Sequence, residues 1–118
     1  MIALDRKVDI MASLKEILGA IVPTERGIYT GEVKPKQYCT FQVVLRKPTY
    51  ADDRRIEKTI TYRVTLFSKG DYEDVLETIL DTLENNNYTI VDEISGENYE
   101  TDTGYWVVPI NIQIIKED

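Results

Sequence analysis

The residues TITYRVTLF at positions 59–67 alternate between apolar and polar side chains. An extended chain points successive side chains to opposite sides, so this stretch predicts a strand with one buried face and one polar face. Such strands are typical of antiparallel sheets, where one face packs on a core and the other meets solvent. The predicted inward residues are Ile60, Tyr62, Val64 and Leu66, and the predicted outward ones are Thr61, Arg63 and Thr65.

A second alternating stretch, YCTFQVVL, lies upstream at positions 38–45. It places Cys39, Phe41, Val43 and Leu45 on one side of a strand. The two strands are predicted to pair as a hairpin. Cys39 is interpreted as a small core residue, because no neighbour in the sequence would activate its thiol.

Two helices are predicted from apolar side chains that recur three and four positions apart, at residues 4–21 and 72–84. Asp71 is the expected N-cap of the second helix. The run Asn85-Asn86-Asn87 supplies residues that tolerate the left-handed conformation at its end.

Three more strands are predicted at 27–33, 88–93 and 105–115. The acidic stretch SGENYETDTG, from Ser95 to Gly104, is expected to be a hairpin tip; it lacks the alternating oxygen ligands of a calcium loop. The order is then α-β-β-β-α-β-β in one domain, residues 1–118. We expect an α+β fold in which both helices pack on one face of a mostly antiparallel sheet.

Between the two hairpin strands, residues 46–58 hold eight charged side chains and no pattern for burial. This segment is predicted to be a loop, which is either a contact arm that becomes ordered on binding or a mobile loop whose charges neutralise each other. Its adjacent carboxylates would point in different directions, which does not suit a glycosidase pair or a metal site. The candidate partner residues are Asp52, Asp53, Arg54, Arg55 and Lys58.

The second helix carries an acidic row on its predicted outer face, formed by Glu73, Glu77, Asp81 and Glu84. The helix has no Lys or Arg to balance these charges. The row is either a docking ridge for a basic surface or a solvated face. Trp106 is a further candidate, either as an anchor in an interface or as a ring partly buried at the sheet edge.

Composition excludes several classes of function. The chain has 118 residues, a single cysteine and no histidine, so no internal disulfide, histidine base or histidine metal site can form. Residues 1–66 hold twelve Lys/Arg and eight Asp/Glu, whereas residues 67–118 hold two Lys and thirteen Asp/Glu. We therefore expect no enzyme, metal or cofactor. The uneven charge favours head-to-tail association of copies.

The succession YCTFQVVL, DDRRIEKTITYRVTLFSKGDYEDVLETILDTLENNNYTI and GYWVVPINIQI resembles the tail-terminator or tail-completion (head-tail joining) proteins of long-tailed phages, here of the prophage-encoded type. The resemblance covers most of the chain and rests on its overall pattern and on YRVTLFSKGDYE. It implies a structural protein that forms a ring, typically a hexamer, on the last ring of tail-tube subunits. No catalytic residues are carried over.

The partners that the resemblance implies are other copies of the chain, the tail-tube protein and the head-connector protein. DNA would pass through the ring without specific binding, and no membrane or small-molecule substrate is expected. The protein would be made in the bacterial cytoplasm and end at the head-tail junction of the virion. Two alternatives stay open: another neck protein of the same phages, or a small α+β domain that binds a ligand or nucleic acid and acts in regulation.

Overall fold

Two helices and six strands are present in the computed structural model, which describes residues 10–91 and 96–117. The predicted α+β class and order of elements are confirmed; one further short strand lies inside the predicted acidic hairpin. In chain order the elements are α1 (Ile10–Gly19), β1 (Thr24–Arg26), β2 (Gln37–Ala51), β3 (Arg54–Ser68), α2 (Glu73–Asn85), β4 (Thr89–Ile90), β5 (Asn98–Glu100) and β6 (Tyr105–Glu117).

The strands form one sheet in the order β1-β2-β3-β6-β4, and β5 pairs with the start of β6. Only β1 and β2 run parallel among these pairs; the others are antiparallel. Pro109 lies in β6 between the stretches that pair with β5 and with β4. Among residues 10–91 and 96–117, no strand pairs with the outer side of β6 at this point. Such edge positions are where sheets tolerate proline.

Both helices pack on the same face of the sheet, and together they bury one apolar core. Removing these apolar side chains from water is the main driving force for the fold. The predicted inward residues of β3 are all buried, and of the predicted outward ones Arg63 is exposed and Thr65 half-buried. Thr61 is buried as well, against the prediction, and its hydroxyl accepts a hydrogen bond from Gln113. The core is built from Leu14, Leu18, Leu76, Ile79 and Leu83 of the helices and from Phe41, Tyr62, Val64, Leu66, Ile110 and Ile112 of the sheet.

The helix ends follow local chemistry. Helix α1 ends at Gly19, two residues before the predicted end, and residues 4–9 of the predicted helix lie outside the described residues. Helix α2 begins at Glu73, and its N-cap is Tyr72, one residue after the predicted Asp71. The carboxylate of Asp71 accepts a hydrogen bond of 3.1 Å from the backbone N–H of Glu73. It thereby satisfies one free donor of the first turn. After α2, Asn87 adopts a φ of 71°, a left-handed conformation that asparagine tolerates.

A β-bulge at Val44 overturns one prediction for β2. Val43 pairs with Tyr62, but Leu45 pairs with Thr61, so one residue is inserted between them. An inserted residue reverses the side to which later side chains point. Leu45 therefore leaves the helix-covered side on which the alternation had placed it, and 54% of it is exposed.

The predicted loop at 46–58 is wrong. Strands β2 and β3 continue through this segment and pair as far as Ala51 and Arg54. Only Asp52 and Asp53 form the turn, with φ 51° and 63°. Positive φ at both central residues is the signature of the type I′ hairpin turn, whose twist matches that of the paired strands.

The strand predicted at 27–33 is also wrong, because the chain pairs with β2 earlier, through β1. Gly27 adopts a φ of 83°, outside the strand region and readily available to glycine. The ladder ends there, with the N–H of Gly27 donating to the carbonyl of Phe41. The strand predicted at 88–93 is shorter, as β4 covers only Thr89–Ile90; residues 92 and 93 lie outside the described residues.

Candidate functional site

The distal half of the β2–β3 hairpin, residues 45–58, projects beyond the helices; we call it the arm. Strands β2 and β3 have 15 residues each, and the longest dimension of the molecule is 52 Å. At about 3.3 Å per residue, such a strand spans roughly 50 Å, so the hairpin runs nearly the whole length of the molecule. Every residue from Leu45 to Ile56 is exposed. The arm is therefore held by strand pairing and not by a core.

The arm has a free edge that is protected against strand addition. Beyond Phe41, no strand among the described residues pairs with the outer side of β2. Pro48 lies in this edge strand, where it offers no donor to an incoming strand. Arg46 and Lys47 precede it, and charged residues and proline are common means of blocking edge pairing. Partners are therefore expected to meet the arm through side chains.

The predicted partner residues of the charged segment all lie on this arm. Asp52 and Asp53 form its tip, and Arg54 and Arg55 are the first residues of β3. Lys58 lies nearer the base, half-buried, with Pro48 on one side and Lys116 on the other. The tip thus presents two carboxylates and two guanidinium groups on consecutive residues.

The acidic ridge of α2, defined as Glu73, Glu77, Asp81 and Glu84, is exposed along its whole length. The opposite side of the helix buries Leu76, Ile79 and Leu83 in the core. No basic residue lies in the last turn to balance the negative end of the helix dipole. The ridge is therefore a continuous negative surface.

Arm and ridge occupy different parts of the subunit. Helix α2 starts just after Ser68, at the end of the sheet farthest from the tip. It ends near Tyr88, whose ring lies 6.4 Å from that of Tyr62. Tyr62 pairs with Val43, and the arm begins at Leu45, farther along β2 toward the tip. The mixed-charge tip and the acidic ridge of one chain are thus set apart along the sheet.

Trp106 is held within the subunit. It is half-buried and packs against the core, and the centroid of its ring lies 4.8 Å from that of Tyr99 on β5. Tyr99 is the more exposed of the two rings. Any contact of a partner with this corner would meet Tyr99 first.

A second aromatic cluster lies on the sheet face that the helices leave open, and sequence reasoning missed it. Tyr38 and Phe67 stack at 4.6 Å, and Tyr105 meets Tyr38 edge to face at 5.4 Å. Tyr29, from the loop after β1, lies 4.9 Å from Tyr38. The sequence did indicate one of these rings. Phe67 is two residues after Thr65, so the alternation places it on the same face as Thr61, Arg63 and Thr65.

These rings line a cavity of about 310 Å³, which we call the aromatic pocket. Hydrogen bonds fix its walls: the Tyr105 hydroxyl donates to the carbonyl of Pro35 at 2.6 Å, and the Thr103 hydroxyl donates to Glu100 at 2.9 Å. Burial raises the pKa of Tyr38, and the nearby Tyr105 and Glu100 raise it further. The other lining residues are Gly27, Ile28, Lys34 and Thr40.

The lining of the aromatic pocket includes one residue of each charge, Lys34 from the loop before β2 and Glu100 at the end of β5. Lys36 and Lys69 line a separate depression, and the ammonium of Lys69 lies 5.0 Å from the centre of the Tyr105 ring. Asp102 follows Glu100 in the β5–β6 turn, and both acids are exposed. A ligand for this pocket would combine an apolar group with charges of both signs.

The single thiol, the acidic groups and the helices of the described residues are the groups that a nucleophile, a metal site or a membrane span would use. Cys39 is fully buried, as predicted, and burial raises its pKa to about 12, so it is not a nucleophile at neutral pH. Among residues 10–91 and 96–117, no three acidic or cysteine side chains are grouped closely enough to bind a metal ion. Within the same residues, no helix has the length and apolar character needed to cross a bilayer.

No model of a known protein family matches the chain, and no curated protein sequence matches it significantly.

Proposed function

We propose that this chain is a structural protein of phage assembly, a tail terminator or tail-completion protein that forms a ring on the tail tube and joins it to the head. The observation that carries the proposal is the arm, a projection held by strand pairing in which every residue from Leu45 to Ile56 is exposed. Exposed hairpins without a core are marginal in stability, and a contact in an assembly would give the arm a role.

The separation of arm and ridge supports a ring. A ring needs a heterologous interface, in which one surface of a subunit meets a different surface of the next. The arm tip is one such surface. The helix-covered half of the subunit provides the other, and the two are separated along a molecule that is 52 Å long. The acidic ridge is a third surface, which suits a basic face of the tail tube or of the head connector.

The open face of the sheet supports passage of DNA without binding. Its polar side chains bond to each other: Gln113 donates to Thr61 at 3.1 Å, and Arg63 donates to Asn111 at 3.2 Å. The chain as a whole has a formal charge of −7, which repels phosphate. The same bonds weaken the alternative of a nucleic-acid-binding regulatory domain, since Arg63 is already engaged.

The test has two parts. Native mass spectrometry and negative-stain microscopy of the purified chain should reveal a closed ring, with six copies as the expected number. Tails produced without this protein should gain uniform length and the ability to join filled heads when the purified protein is added. A chain that stays monomeric with and without tail tubes, and leaves tail length unchanged, would refute the proposal.

The ridge is tested by reversing its charge. Glu77→Lys combined with Asp81→Lys should impair attachment to tubes or heads, because an approaching basic surface would meet like charge. Glu16→Lys, an exposed acid on α1, is the single-charge control for Glu77→Lys. Unchanged tail length and head joining in the double variant would remove the ridge from the mechanism. Binding of duplex and single-stranded DNA should be weak; tight, salt-sensitive binding would favour the regulatory alternative.

A further inference from the structure

The arm tip carries large apolar side chains that are exposed. Tyr50 is 63% exposed and pairs with Arg55, and Ile56 is the bulged residue next to that pair. A large aromatic side chain at the end of a projecting element is the kind of residue that anchors an interface. The acidic ridge offers such a ring only carboxylates, so it is a poor site for Tyr50.

We propose that the arm tip of one copy docks in the aromatic pocket of a second copy, with Tyr50 against the rings of Tyr29, Tyr38 and Phe67. The inference rests on the self-association in the proposed function and specifies the contact that produces it. The pocket volume of about 310 Å³ is at the lower limit for ligand sites, so it suits one or two side chains. Ile28 at its mouth is 74% exposed and extends the apolar surface.

Charge complementarity selects this occupant. The tip presents Asp52 and Asp53 beside Arg54 and Arg55, and the pocket lining holds one base, Lys34, and one acid, Glu100. One orientation of the tip places its carboxylates near Lys34 and its guanidinium groups near Glu100. A tip or a pocket with charges of only one sign would lack this match. Such charge complementarity fixes the orientation of a contact more than it adds affinity.

Position makes the contact intermolecular. The tip lies at residues 52 and 53, whereas the pocket lies where Tyr38, Phe67 and Tyr105 come together, near the other end of the 15-residue strands. A copy therefore does not reach its own pocket. Each copy gives a tip and receives one, which is the head-to-tail relation that closes into a ring.

Cross-linking between mixed single-cysteine variants is the direct test. Ala51→Cys at the tip is mixed with Ile28→Cys at the pocket mouth, and in a second mixture with Glu77→Cys on the ridge. Native Cys39 is buried and does not compete. The tip–pocket pair should form heterodimeric disulfides at least ten times faster than the tip–ridge pair. Equal rates, or a faster tip–ridge pair, would overturn the inference.

Association constants give an independent measurement. Tyr50→Ser and Tyr29→Ala should each weaken self-association at least about tenfold, since aromatic anchors dominate interfaces. Tyr50→Phe keeps the ring and should associate as the wild type does. Val33→Ser is the control for the pocket loop, because Val33 is 87% exposed and does not line the pocket. Circular dichroism and unfolding curves check that each variant folds.

The outcomes separate this inference from the proposed function. Rings from the wild type that persist unchanged in Tyr50→Ser and Tyr29→Ala would leave the function standing and refute the docking. Selective tip–pocket cross-links without a ring would support the docking and count against the ring. Loss of tube or head attachment alone in Tyr29→Ala, with self-association intact, would assign the pocket to another protein and refute a second copy as its occupant.

Discussion

The two halves of the β2–β3 hairpin share the same backbone pairing but differ in what covers them. In the proximal half, one face carries Phe41, Tyr62 and Val64 and packs under both helices. In the arm, the same two strands continue, and every residue from Leu45 to Ile56 is exposed. Alternation in a sequence therefore reports burial, and strands can persist where burial ends. The following predictions test how far the two halves differ.

The largest effect is expected from truncating matched isoleucines of β6 in the two regions. Ile110 is fully buried. Ile110→Ala should lower the free energy of unfolding by about 2–5 kcal/mol, because it leaves a cavity in the core. Ile115 in the same strand lies beside the arm and is 62% exposed. Ile115→Ala should therefore change stability by only about 0.5 kcal/mol or less. Urea unfolding of both variants measures the two changes. Similar losses of unfolding free energy would mean that the arm end has a core of its own.

Alkaline pH should destabilise the helix-covered half through Tyr88. Burial raises the pKa of Tyr88 from 10.0 to about 12, so its neutral form is favoured in the folded state. The stability that Tyr88 contributes is fully present below its pKa in the unfolded chain, 10.0, and is lost as the pH rises through its pKa in the folded protein, about 12. At about 1.4 kcal/mol per pKa unit, it is at most about 2–3 kcal/mol.

Tyr88→Phe should therefore flatten the fall in stability between pH 10 and 12, measured by urea unfolding at each pH. Tyr50→Phe, in the exposed arm, is the control and should follow the wild type. A profile for Tyr88→Phe as steep as that of the wild type would show that other groups carry the alkaline transition. Tyr62 and Cys39, whose pKa values are also raised by burial, would be the next to examine.

Replacing Asp53 by glycine should stabilise the arm locally. Asp53 has a φ of 63°, a conformation that costs residues other than glycine about 1 kcal/mol. Asp-Gly is also a preferred pair for this turn. Hydrogen exchange of the arm amides should slow about fivefold in Asp53→Gly, whereas Asp53→Ala should speed it. Exchange unchanged in both variants would mean that the turn does not limit opening of the arm.

The smallest effect concerns the outside of the helix-covered half. Glu77 lies four residues from both Glu73 and Asp81, and such like-charge pairs each cost about 0.2–0.5 kcal/mol. Glu77→Lys should raise the stability of the isolated subunit by about 0.5 kcal/mol at low salt, and less at high salt. Glu16→Lys on α1 has no such neighbours and should change little. A variant that is more stable as a subunit but fails to assemble would separate folding from docking.

The candidate surfaces were predicted only in part from the sequence. The acidic ridge followed from helical spacing alone, because one apolar stripe fixes which side of a helix faces out. The arm residues Asp52 to Arg55 were identified as a charged, exposed segment, but their strand pairing was not. Pairing between exposed strands uses backbone hydrogen bonds, which leave no periodic pattern in the side chains. The aromatic pocket was missed because its rings come from four separate segments of the chain.

The α+β class, the two amphipathic helices and the buried face of β3 could be predicted from the sequence, because each depends on a repeating pattern of side chains within one element. Tertiary structure decided the bulge at Val44, the turn at Asp52 and Asp53, and the meeting of Tyr29, Tyr38, Phe67 and Tyr105. Each of these depends on register between strands. Register is set by the sum of contacts across the whole sheet, so no single stretch of the chain contains it.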